Sequence, residues 1–213
     1  MKKNIFMAFS AIVLVVSVAF TGAIVANAQE ETAPTKTTID NLLSVYNSGM
    51  NESTRYLAFA EKAAVEGCDA AASLFRAIAA AEQARCERYS DIIKQFGREP
   101  KVDAQTPVVN STNENLAASL KVESDEEKVM YPAFIEQAKK EGLSAAVEIF
   151  TYALAAQGVY NNLCTKMLNN LALIKGLIKG FYVCPVCGNI VDVIDRSRCQ
   201  ICATDTRKFR KVK

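Results

Sequence analysis

The stretch AAAEQARCERY, Ala79–Tyr89, decides how the chain folds. Steps of three and four residues join Ala71, Leu74, Ile78, Glu82, Arg85, Tyr89, Ile92 and Phe96, the period of one face of an α-helix. That face carries large apolar residues, so it faces a core, and it takes Glu82 and Arg85 in with it. Buried charge is costly unless it is paired or bound to a metal. The helix therefore predicts a packed interior with an ionic layer across it.

Working outward, four helical patterns emerge. The first spans about Thr38 to Glu66, with Ile39, Leu42, Leu43, Tyr46, Tyr56 and Ala60 on its stripe and Gly67 ending it. The second, from about Asp69 to Phe96, stops at Gly97 and Pro100. GREPKVDAQTPVVNSTNEN follows, long and rich in turn formers, and reads as a crossover connection. The third spans about Glu114 to Glu141, with Leu116, Leu120, Met130 and Phe134 inward, and Gly142 breaks it. The fourth carries Val147, Phe150, Leu154, Gln157, Asn161, Cys164, Leu168 and Leu171 on its stripe. Two antiparallel pairs joined by one long crossover make a mainly α chain, a ferritin-like four-helix bundle over residues 38–179.

From about Gly180 the character changes. CPVCG at Cys184–Gly188 and CQIC at Cys199–Cys202 leave eleven residues between Cys187 and Cys199, with the β-favouring runs FYV and IVDVI nearby. Two C-x2-C turns at this spacing aim Cys184, Cys187, Cys199 and Cys202 at one point, a tetrahedral thiolate site for one Fe or Zn. A pair of structural disulfides is the competing reading. A module of this size, residues 180–213, has too little apolar core to fold without a cross-link. The first knuckle is rubredoxin-like; in the second, Gln200 stands where proline is usual and Ala203 where glycine is. A left-handed Ala203 costs about 1 kcal/mol. Separate cores are expected for bundle and tail. Cys68, Cys86 and Cys164 read as small buried residues.

The chain begins MKKN, continues apolar from Ile5 to about Val25, and reaches Ala26-Asn27-Ala28. This is the pattern of a signal peptide, residues 1–28, cleaved before Gln29 for export to the periplasm or outside the cell. The alternative is an uncleaved membrane anchor. Residues 29–37, QEETAPTKT, are polar enough to be disordered. Cleavage leaves 23 basic residues, from 25, against 23 acidic ones. A neutral chain has no electrostatic case for nucleic acid or an anionic membrane. The chain has no histidine, so the commonest neutral metal ligand and general base is missing.

The bundle-plus-knuckle layout resembles the rubrerythrin family. The likeness rests on NLL at Asn41, RYLAFAEKA from Arg55, LFRAIA from Leu74, ENLAASL from Glu114, MYP at Met130 and F-x-YAL from Phe150. It implies a di-iron centre in the bundle that reduces peroxide, an iron in the tail that feeds it electrons, and a homodimer. Carried over by position, the ligand set is incomplete. Gly49 stands where the first helix should offer a glutamate, and the Glu-x-x-His of the second is Glu82 followed by Arg85. The third retains Glu123 and Glu126, while the fourth has Gln157 for glutamate and Tyr160 for histidine. Tyr56 and Tyr131 match the tyrosines that hydrogen-bond the ligand carboxylates in the family.

Three carboxylates, Glu82, Glu123 and Glu126, remain as candidate metal ligands, and two helices have lost theirs. This argues against a di-iron centre and for Arg85 as the positive charge among the glutamates. Three functions compete: an exported electron-transfer or oxidative-stress protein with one four-thiolate site, a peroxide reductase on a divergent bundle centre, and a structural zinc protein. The sequence names no redox partner.

Overall fold

The computed structural model describes residues 37–177 and 179–213. The expected signal peptide and residues 29–36 of the polar segment 29–37 lie outside them, as does the side chain of Glu123, while Thr37, expected to be disordered, is ordered as the cap of the first helix. Helix α1 runs over Thr38–Val65, α2 over Asp69–Gln95, α3 over Thr112–Asp125, α4 over Tyr131–Lys140 and α5 over Ser144–Asn170. A π-turn, Glu126–Met130, joins α3 to α4, so the expected third helix is one rod with a wide turn in it. Pro132, in the first turn of α4, is the physical reason. It has no N–H to give the preceding turn, and its ring crowds the carbonyl four residues back.

Local chemistry sets the helix ends. Thr37 and Asp40 form a reciprocal capping box at the start of α1. Gly67 ends that helix at φ +70°, while the Cys68 N–H returns 2.8 Å to the Ala63 carbonyl. α1 packs along α2, and α3 and α4 pack along α5. The crossover between α2 and α3 is pinned to α1: Asn47 accepts from the Asp103 N–H at 2.7 Å, and Asn51 from the Gln105 N–H at 2.9 Å. No helix among the described residues is long and apolar enough to cross a membrane.

Two apolar clusters fill the bundle. One holds Tyr56, Phe59, Phe75, Ile78, Leu116 and Cys164; the other holds Leu42, Tyr89, Ile93, Tyr131, Ile149 and Phe150. Fully burying a Phe such as Phe75 or Phe150 contributes about 1.5–3 kcal/mol. Between the clusters along α1 and α2 sit Gly49 and Glu52, then Glu82 and Arg85, and Gln157 of α5 meets them from within the span of the first cluster, all buried. The ionic layer expected from α2 is therefore a cross-section of the whole bundle.

Two stripes differ from expectation. Phe96 is 48 % exposed, because it caps α2 rather than continuing it. On α5 the buried face is Ala146, Ile149, Phe150, Ala153, Ala156, Gln157, Tyr160, Cys164 and Met167, with Val147, Leu154, Asn161 and Leu168 only half-buried beside it. Alanines let the helices approach closely, which turns the larger residues toward the edge of the interface.

The tail forms a three-stranded sheet in the order β2-β1-β3, antiparallel, with β1 Phe181–Val183, β2 Ile190–Val191 and β3 Arg210–Val212. Only the first two residues of IVDVI are strand. Phe181, Val183 and Ile190 join the first bundle cluster, and bundle and tail form one compact unit. The expectation of separate cores is overturned: a short sheet has an apolar face to cover, and α2 and α5 cover it.

Candidate functional site

The ionic layer is built around Arg85, which is 0 % exposed. Its Nη2 donates to the Glu82 carboxylate, and its Nη1 donates to Gln157 Oε1 at 3.2 Å and to the Tyr160 hydroxyl at 3.0 Å. Gln157 in turn donates to the Glu126 carboxylate. One guanidinium and one amide thus bridge two carboxylates on different helices, the planar fork serving partners on two sides. Glu82 and Arg85 lie one turn apart, and the π-turn begins at Glu126, beside α5. Tyr160 donates its own hydroxyl to the Gly188 carbonyl at 2.9 Å.

On the first helix, position 49 is closed to a side chain. A Cβ on Gly49 would meet Cys86 Sγ at 2.8 Å and Glu82 Oε2 at 3.3 Å. Tyr131 shares a 3.2 Å hydrogen bond with the Tyr89 hydroxyl, and Tyr56 is fully buried under the Arg55 guanidinium, 5.3 Å from its ring centroid. Glu123 lies in α3, its side chain outside the described residues. Sequence reasoning passed over Glu52, which is 7 % exposed and 3.6 Å from Arg55. The spacing Gly49, Glu52, Tyr56 was the available signal, since it places Glu52 on the inward face.

Burial works against the charge on Arg85, yet Glu82 and then Tyr160, Tyr131 and Tyr89 outweigh it and hold the guanidinium protonated. Burial pushes the Glu82 carboxyl up while Arg85, and beyond it Arg55, pull it back. Burial and then the nearby Glu82 push Glu126 up to about 7 from 4.5. The folded chain therefore holds a proton that the unfolded chain releases between those values. The corresponding stability is complete below pH 4.5 and is lost as pH rises through about 7. Glu66, held at about 2 by hydrogen bonds from Thr112, acts in the opposite sense and only below pH 4.5. Denaturant unfolding from pH 5 to 8 should show the decline, and Glu126→Gln should flatten it. An equally steep slope in that variant would assign the effect elsewhere.

In the tail, the Cys184, Cys187, Cys199 and Cys202 sulfurs all lie within 4.8 Å of one another. Cys184–Cys202 and Cys187–Cys199 stand at 3.5 Å, and none of the cysteines among the described residues is in a disulfide. A tetrahedral ion with metal–sulfur bonds of about 2.3 Å needs sulfurs about 3.8 Å apart, so the set fits one Fe or Zn. Each knuckle turns on a left-handed residue: Gly188 at φ +76° and, as the sequence suggested, Ala203 at φ +58°. Backbone N–H groups of Val186 and Cys187 serve Cys184, and those of Cys202 and Ile201 serve Cys199. Hydrogen bonding within the cluster holds the Cys199 thiol below its usual range while the Cys187 thiol, facing Cys184 and Cys199, is pushed up, so the four sulfurs share protons that a cation would have to displace. Tyr152, Val186, Ile201 and Phe209 cover the cluster.

Comparison with known proteins agrees with this geometry. A family model described as Rubrerythrin matches residues 40–158. Nigerythrin of Nitratidesulfovibrio vulgaris is 32% identical over 166 residues, 78% of this chain and 81% of that protein. Rubrerythrin-2 of Clostridium acetobutylicum is 30% identical over 81% of this chain and 95% of its own length. Among solved structures, the fully reduced, all-ferrous state of nigerythrin superposes with a TM-score of 0.77 at 30% identity, covering 87% of this chain and 91% of that one. The bacterioferritin of Desulfovibrio desulfuricans, at 16% identity and TM-score 0.61, shares the fold over 65% of this chain and 86% of its own.

Proposed function

The chain belongs to the rubrerythrin family, and on that premise we propose that it is an exported electron-transfer protein with a single metal centre. Cys184, Cys187, Cys199 and Cys202 would hold one iron, which supplies one-electron chemistry when bound. The observation that carries this reading is the convergence of the four sulfurs within 4.8 Å. Zinc in the same site would make the module structural only.

The bundle pocket does not suit a pair of irons. A permanently charged guanidinium occupies its interior, Gly49 has no space for a ligand, and Gln157 and Tyr160 are committed to other partners. A di-iron site draws carboxylates from all four helices. Here the protein's own cation replaces the metals.

Metal analysis of protein purified without added metal tests both halves. The expected result is one iron per chain with the visible absorption of a four-thiolate ferric centre. One zinc instead would sink electron transfer, and two further irons would favour peroxide reduction in the bundle. Export rests on the Ala26-Asn27-Ala28 site. N-terminal sequencing is expected to read from Gln29, whereas membrane-bound material still carrying Met1 or Lys2 would speak for an anchor.

A further inference from the structure

The ionic layer and the four-cysteine cluster are joined by an unbroken line of hydrogen bonds. Arg85 Nη1 donates to the Tyr160 hydroxyl at 3.0 Å, and that hydroxyl donates to the Gly188 carbonyl at 2.9 Å. The carbonyl belongs to the same peptide as the Asn189 N–H, and this N–H is hydrogen-bonded to the Cys187 sulfur. The approach is close: a Cβ on Gly188 would lie 3.0 Å from both the Ala81 carbonyl oxygen and the Tyr160 hydroxyl, and 3.3 Å from Arg85 Cγ. Tyr160 and Arg85 are each 0 % exposed, so water does not compete along the line.

Donation to a peptide carbonyl makes the N–H of that peptide a stronger donor, and linked hydrogen bonds reinforce one another where the dielectric is low. The guanidinium is oriented to push in this direction. Its Nη2 faces Glu82 while its Nη1 faces Tyr160 and, beyond it, the knuckle. Outer partners of metal ligands set both retention and electronics. A four-thiolate iron gains negative charge on reduction, and donors to its sulfurs favour the more negative state.

We propose that Arg85 and Tyr160 are positioning residues of the four-cysteine centre, acting through the Gly188–Asn189 peptide on the Cys187 sulfur. The inference rests on the reading of that cluster as a metal centre. Tyr160 stands at a position where the family resemblance implied a histidine ligand to iron in the bundle; here it serves the metal of the tail instead.

Tyr160→Phe removes the hydroxyl and keeps the ring. Iron-loaded wild type and variant are compared for metal per chain, midpoint potential and rate of loss to a chelator. Equal loading is expected, with about tenfold faster release and a lower midpoint potential in the variant. The potential is the readout that simple loosening of the fold would not shift in a set direction. Equal loading with unchanged potential and release overturns the inference alone. A wild type that takes up no metal overturns the reading of the site and the inference together. Should Tyr160→Phe fail to fold, the zinc-loaded wild type decides: a Tyr160 hydroxyl proton slow enough in exchange to give its own resonance supports the line, and a rapidly exchanging one overturns it.

Discussion

Arg85→Ala is expected to destabilise the bundle by about 3–5 kcal/mol, the cost of stranding a buried charge by removing its partner. Glu82 is 2 % exposed and would lose its guanidinium. Gln157 and Tyr160 would each lose a donor, and the guanidinium packed 5.1 Å from the Tyr160 ring centroid would leave a void. Thermal and denaturant unfolding measure the loss. A paired variant separates charge from packing. Glu82→Met with Arg85→Met removes both ions and fills the space, so it should lie much nearer wild type than Arg85→Ala does. A second outcome follows from the same electrostatics: added divalent metal should raise the stability of Arg85→Ala and leave wild type unchanged, since Glu82 and Glu126 would then face an uncompensated pocket. Arg85→Ala melting within error of wild type, with or without metal, would remove Arg85 from its role as the internal cation.

The sequence alone carried the bundle, because α2 repeats its apolar residues at helical spacing through the full run from Ala71 to Ile92. The cysteine cluster was as plain, since C-x2-C pairs bring their own geometry with them. The π-turn was less visible: Pro132 announces a disturbance without saying whether the helix bends, ends or widens. The α5 face was misjudged because Ala146, Ala153 and Ala156 carry little hydropathy, yet they set the closest approach. Glu52 escaped notice because an acidic residue three before Arg55 on a helix usually belongs to a solvated ion pair. The line from Arg85 to Cys187 was beyond sequence reading, since it depends on how the tail is seated against α2 and α5. No periodicity encodes that docking; Phe181, Val183 and Ile190 need an apolar surface but do not name it.

That docking makes the largest expected effect one felt throughout the molecule. Cys187→Ser should abolish stable metal binding, because one thiolate of four is lost and the remaining three leave an open position. Folding energy linked to a structural four-ligand site is about 10–16 kcal/mol in isolated small modules, far above what a three-stranded sheet of two- and three-residue strands can replace. The tail should therefore unfold. With separate cores the bundle would melt as before. Here, however, Phe181, Val183 and Ile190, each at most 2 % exposed, lie in the same apolar cluster as Phe75 and Ile78. Undocking them uncovers the faces of α2 and α5 they seal and opens the Tyr160 hydrogen bond to Gly188. Each large apolar side chain returned to water costs about 1.5–3 kcal/mol, so the helical transition should shift to lower temperature by many degrees and water should reach the Arg85 layer. Far-UV circular dichroism follows the helices, limited proteolysis follows the tail, and hydrogen exchange at Ala81–Arg85 follows the seal. A tail cleaved at once while the helices melt at the wild-type temperature would mean that the bundle does not depend on the sheet, and that the shared cluster contributes little to its stability.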